Sequence, residues 1–142
     1  MAGPNNFTVF VKNRGNTPAW IVEQALKVKI TESADPALQN DSDYGYISNF
    51  PYGIAITRSE NGMPWRVEPD KIEMDLGFEE IEKIMAGKLF LFVCGFIRYT
   101  DVTNTKPRET YFCFRFYPRP PSTSNKGVWS AHGCPASANR HT

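Results

Sequence analysis

At 142 residues with a formal net charge of +1, the chain suits a single domain long enough to bury its own core. Hydrophobic residues at 41% and charged residues at 22% exclude a disordered chain. No apolar run reaches the roughly 18 residues a membrane-crossing helix needs, and aromatic residues at 13% favour strands.

The charge is unevenly divided. From Arg98 onward seven Lys/Arg stand against Asp101 and Glu109, while residues 1–97 carry nine Lys/Arg against thirteen Asp/Glu. Such a split fits either a basic binding face or two halves of one sheet attracting each other. The start MAGPNNFTVF has neither a basic nor an apolar signal region, so the chain as given is expected to be soluble. A boundary cut from a longer, tethered protein is also compatible with that start. Three cysteines, Cys94, Cys113 and Cys134, are too few for a disulfide scaffold and read first as buried thiols.

Phe7 to Asn13 reads as a short strand, followed by a turn through Gly15 and Pro18. Trp20, Val22, Leu26, Val28 and Ile30 fall on even positions and Glu23, Lys27, Lys29 and Thr31 on odd ones, which predicts a strand with one wet face. Residues 32–46 are polar and turn-rich, a surface loop. A strand near Gly53–Thr57 is closed by Asn61-Gly62, and Ile72, Met74 and Leu76 suggest another. One short helix is expected over about residues 78–86, with Phe78, Ile81, Ile84 and Met85 on one face, acid in its first turn and Gly87 at its end.

Leu89 to Ile97 is apolar on both faces and predicts a strand covered on both sides, with Gly95 a gap where a neighbouring aromatic lies close. Tyr111 to Tyr117 alternates, so Phe112, Phe114 and Phe116 are expected as a buried row with Cys113 and Arg115 opposite. The polar residues between make the two segments a core hairpin. A Pro/Ser-rich segment follows Tyr117, Val128 and Trp129 return as a last strand, and residues 131–142 read as a poorly ordered tail behind a single domain over 1–130.

Chemistry is sparse. His132, Cys134 and His141 lack the paired short spacings of a zinc site, so no metal and no cofactor is expected. Cys94 and Cys113 sit on the two arms of the hairpin, where register decides between a bond and buried thiols. Neither has the neighbouring His of a nucleophile, and no catalytic residue is assigned. Arg98, Tyr99, Asp101, Lys106, Arg108 and Glu109 gather near the hairpin turn. They are the candidate ligand- or partner-binding residues, set against ordinary solvated charge pairs. Exposed aromatic platforms are too few for nucleic acid, so a protein partner is the expectation.

The opening Asn13, Gly15 and Ala19 form an N-x-G-x-x-x-A pattern. It resembles the join between the first two strands of immunoglobulin-like modules in bacterial surface and envelope proteins. Gly95, Ile97, Tyr99 and Asp101, followed by Thr110, Phe112 and Cys113, resemble a group of uncharacterised bacterial proteins that often carry N-terminal membrane helices. These matches span about a third of the chain. They imply an all-β, immunoglobulin-like two-sheet sandwich with one short helix and an upstream membrane tether, and they imply no activity. The expected role is a non-catalytic binding or accessory module. The alternatives are a small-molecule-binding or enzymatic domain using the Arg98–Glu109 loop, or a structural subunit of a larger assembly.

Overall fold

A computed structural model describes residues 9–13, 17–56, 63–65, 77–101, 104–119 and 127–141. The expected strand at Ile72–Leu76 and the Gly15 and Asn61-Gly62 turns lie outside the described residues. Among the described residues the protein is mostly antiparallel β-sheet with one short α-helix. Strands β1 (Val9–Val11) and β4 (Met63–Trp65) form a two-stranded sheet. The main sheet has five strands in the order β3 (Tyr46–Ile56), β2 (Ala19–Thr31), β5 (Phe90–Asp101), β6 (Asn104–Pro118) and β7 (Gly127–Ser130), all antiparallel.

The expected hairpin is β5–β6, with Phe92 opposite Arg115, Cys94 opposite Cys113 and Phe96 opposite Tyr111. Its central strand is sealed on both faces, as the unbroken apolar run from Leu91 to Phe96 requires. On one face Leu91, Phe116 and Ile84 pack together, with Val28, Ile81, Met85 and Trp129 around them. On the other, Ala25, Phe92, Cys94, Phe96, Tyr111 and Cys113 pack beneath Tyr44 and Ala138. The phenylalanine row therefore divides. Phe116 is buried, whereas Phe112 and Phe114 are half-buried with ring centroids 6.0 Å apart. The deeper core lies on the Tyr111–Cys113 side, because loop and chain end both cover that side. Across Gly95 lies the Phe112 ring, which together with the Ala25 carbonyl occupies the space a side chain would need.

The alternation in β2 breaks at one residue. Register shifts between Ile21 and Glu23 against both neighbours, so Val22 is an extra residue in a bulge. Ile21 rather than Trp20 then shares the face of Leu26, and Ile21 is fully buried.

Helix α1 (Phe78–Met85) begins with Glu80 Oε2 accepting the Gly77 N–H at 2.7 Å. It ends in a Schellman turn: the Gly87 N–H donates to the Ile84 carbonyl and the Lys88 N–H to the Lys83 carbonyl, with Gly87 at φ 77°. Ile84 is buried against the sheet, but Phe78 is 77% exposed and does not join that face. No helix among the described residues is long and apolar enough to cross a membrane.

Two stretches read as loose are packed. The 32–45 loop lays Pro36 and Tyr44 onto the sheet, held by Lys29 Nζ donating to the Pro36 carbonyl at 2.7 Å and closed by a 3-10 turn, Asp41–Tyr44. Residues 131–141 run beside β6 as a strap. The Tyr111 N–H donates to the Arg140 carbonyl at 2.7 Å, and Thr110 bridges His141. The Asn139 amide both accepts from the Cys113 N–H (2.9 Å) and donates to the Cys113 carbonyl (3.1 Å). A sheet edge with unpaired backbone groups is costly to leave bare, and the strap satisfies it.

Candidate functional site

Alternation along the hairpin separates the six candidate residues. Arg98 pairs with Glu109 on the strap-covered face, while Tyr99 pairs with Arg108 on the opposite one. Asp101 lies opposite Asn104 beyond an irregularity in the register, and Lys106, Pro107 and Arg108 are exposed. The six do not converge on one point.

Arg98 is the centre of a polar cluster that draws on four segments. Its Nη1 donates to Glu23 Oε2 at 2.6 Å, its Nη2 to Asp41 Oδ2 at 2.6 Å and its Nε to Glu109 Oε1 at 3.2 Å. Nη2 also reaches the Tyr111 hydroxyl at 3.1 Å, and that hydroxyl donates to Asp41 Oδ1 at 2.8 Å. The guanidinium sits 4.5 Å over the Phe96 ring, and Arg140 stacks 3.8 Å over Tyr111. Four directed donor contacts nearly exhaust the five N–H groups of an arginine, and three carboxylates more than balance its charge.

The electrostatics follow from that geometry. Burial pulls Arg98 toward losing its proton, but the hydrogen bonds to Glu23, Asp41 and Glu109 outweigh it and hold the group further into the cationic range. The Arg98 hydrogen bond keeps the Asp41 carboxyl below its ordinary value against the opposing effect of burial, with Tyr111 adding to the lowering. Burial, with the Asp41 hydrogen bond, pushes the Tyr111 hydroxyl up to about 12. Arg98, Asp41 and Tyr111 are thereby locked in their ordinary charge states. Such a cluster fixes the relation of β2, β5, β6 and the 32–45 loop.

Asp41 and Tyr111, both central here, escape a reading built on the hairpin turn. Asp41 belongs to a polar run with no local pattern, and Tyr111 is the neutral member of an aromatic alternation. Tyr44, an aromatic inside that polar run, is a signal that it packs inward. The other candidate centre also disperses. The His132 carbonyl accepts from the Tyr117 hydroxyl at 2.9 Å, while His141 is bridged to Thr110, seven residues along β6 and so roughly 20 Å away. Among the described residues, no group of three or more His, Cys, Asp or Glu is placed to hold a metal ion. Among the described residues of the hairpin, Lys106, Pro107 and Arg108 on β6 are exposed to solvent. Comparison of the chain with protein-family models, curated proteins and solved structures finds no match.

Proposed function

We propose that the chain is a non-catalytic binding module that presents the far end of the β5–β6 hairpin, through Lys106 and Arg108, to an acidic patch on a protein partner. One observation carries the reading: Arg98 and Glu109 are consumed within the fold, so the base of the hairpin is braced while its end stays exposed. A braced strand with an outward cation at Lys106 loses little entropy on binding and steers toward negative charge. The enzymatic alternative would use the Arg98–Glu109 loop, where the Arg98 guanidinium has almost no donor left to offer a substrate.

The immunoglobulin-like assignment and the upstream tether in a bacterial protein belong to the same proposal. The tether rests on the sequence resemblance alone; the support for the immunoglobulin-like assignment is the Asn13–Ala19 connection. Asn13 Nδ2 donates to the Thr17 carbonyl at 2.9 Å, and the connection joins β1 and β2, which pair in different sheets. Strands of a sandwich are joined in that manner.

Retention of the purified chain on immobilised poly-glutamate tests the binding surface. Wild type is expected to bind at low ionic strength and elute as salt rises. Lys106→Glu with Arg108→Glu should elute markedly earlier, while Arg119→Glu, an equal change per site at an exposed position outside the hairpin end, should shift elution much less. Unchanged retention of the hairpin variant, or an equal loss with Arg119→Glu, contradicts the assignment.

A further inference from the structure

The strap brings a second sulfur to β6. Cys113 Sγ and Cys134 Sγ lie 2.7 Å apart, closer than two unbonded thiols ordinarily sit and within a small torsional change of bonding distance, about 2.05 Å. The approach is fixed from both sides of the pair. Toward the chain end, Asn139 holds the Cys113 backbone by two hydrogen bonds; toward the chain start, the Tyr117 hydroxyl donates to the His132 carbonyl. Between them, Gly133 at φ 89° makes the turn, where any side chain would strike the Tyr117 hydroxyl.

Cys94 is excluded by aim rather than by distance along the sheet. It stands directly opposite Cys113 in the β5–β6 register, yet its Sγ is directed at the carbonyl oxygens of Lys27 (3.7 Å) and Asp43 (3.9 Å). The pairing open to a reader of the sequence was Cys94 with Cys113, and the fold offers a different one.

The geometry points to Cys113 and Cys134 as a redox-active thiol pair that closes a disulfide between β6 and the C-terminal strap, leaving Cys94 as a free thiol. The two sulfurs have different roles. Cys134 is the more accessible, half-buried beside Arg115, whose guanidinium lies between the Phe90 and Tyr117 rings at 4.5 Å from each. Its thiol is held below the ordinary value by the hydrogen bond with Cys113 and by the charge of Arg115, which outweigh burial. Cys113 is fully buried. Burial pushes the Cys94 thiol up to about 12. The Cys113 thiol is raised too, first by its hydrogen bond with Cys134 and then by burial, so it acts second, once Cys134 is in the mixed disulfide and that hydrogen bond is gone.

The oxidant is an external disulfide of the glutathione class. The Cys134 thiolate attacks one sulfur of it, breaks the external S–S bond and releases one external thiolate. Cys113 then gives up its proton and attacks the Cys134 sulfur of the mixed disulfide, releasing the second external thiolate. The two protein thiols are oxidised to one disulfide, the external disulfide is reduced to two thiols, and the two protons end on those thiols. The bond closes a loop of about twenty residues. In an oxidising compartment it would persist, and in a reducing one it would open.

The test is equilibration of the full chain in oxidised glutathione, followed by acid quenching, denaturation, alkylation and peptide mass mapping. The expected product is 2 Da lighter than the reduced chain, alkylates at Cys94 alone and yields a cross-linked peptide joining Cys113 to Cys134. Its melting temperature should exceed that of the reduced chain by roughly 5–10 °C. The Cys94→Ser variant should oxidise equally well. Three alkylated thiols, a stable glutathione adduct on Cys134, or a cross-link through Cys94 would each overturn the assignment.

Discussion

Arg98 shows how a residue that reads as functional becomes structural. In the sequence it is one cation among several near a turn; in the fold it is the one that three carboxylates enclose, with only 17% of its side chain exposed. Arg98→Ala removes charge-assisted hydrogen bonds and leaves Glu23, Asp41 and Glu109 repelling one another. Because those carboxylates are each about a third or more exposed, water recovers part of the loss. The expected destabilisation is about 2 kcal/mol, read from urea midpoints. Lys106→Ala, at an exposed position, should stay within about 0.5 kcal/mol of wild type. Equal effects of the two substitutions would contradict the division between braced base and presented end.

The same cluster sets an acid limit. Asp41 has a carboxyl pKa lower in the folded than in the unfolded chain. Its contribution is therefore full above the unfolded value and is lost as pH falls through the folded one. Urea midpoints should decline below about pH 4, and Asp41→Asn should flatten that decline while lowering stability at neutral pH. A decline of the same steepness in the variant would remove Asp41 from the account.

At the scale of elements, two glycines separate strain from space. Gly87 has a positive φ and nothing within 4 Å of where a Cβ would stand, so Gly87→Ala costs only the strain of its turn, about 1 kcal/mol. Gly95 sits in ordinary strand geometry but is closed in by the Ala25 carbonyl and the Phe112 ring. Gly95→Ala must push two strands apart and should lower the urea midpoint by far more. A reversed order would mean that the β2–β5–β6 packing is misplaced.

The elements themselves were largely legible. Periodicity revealed the hairpin, the helix and most of β2, since burial selects apolar residues at period 2 or 3.6. What it missed has physical causes. The Val22 bulge moves the wet face by one residue without changing composition, so Trp20 passes for a partner of Leu26. The helix stripe runs one turn past the sheet it packs on, which leaves Phe78 exposed. The candidate site was legible only in part. Arg98 and Glu109 stand opposite each other as the hairpin implies, but Asp41 comes from a distant loop.

On the scale of the whole molecule, the chain end decides how the sheet is finished. Its sequence, rich in small and polar residues, has no hydrophobic period because it is held by the Arg140 carbonyl, the Asn139 amide, the stacking of Arg140 on Tyr111 and single small residues, Ala138 and Cys134, set against the core. Such contacts leave no periodic trace. Truncation after Ser130 removes those bonds, uncovers Tyr111 and Cys113, and should cost about 3 kcal/mol with the thiols reduced. A frayed tail would cost nothing.

Amide hydrogen exchange resolved to single residues tests this arrangement most directly. The Tyr111 and Cys113 amides, whose acceptors are the Arg140 carbonyl and Asn139 Oδ1, should exchange slowly in the reduced full-length chain. Asn139→Ala should release the Cys113 amide by tenfold or more while amides in the β2–β5 pairing keep their protection. Rapid exchange at both amides in the unmodified chain would mean that the strap does not close β6, and the paired sulfurs and the doubly covered sheet would fall with it.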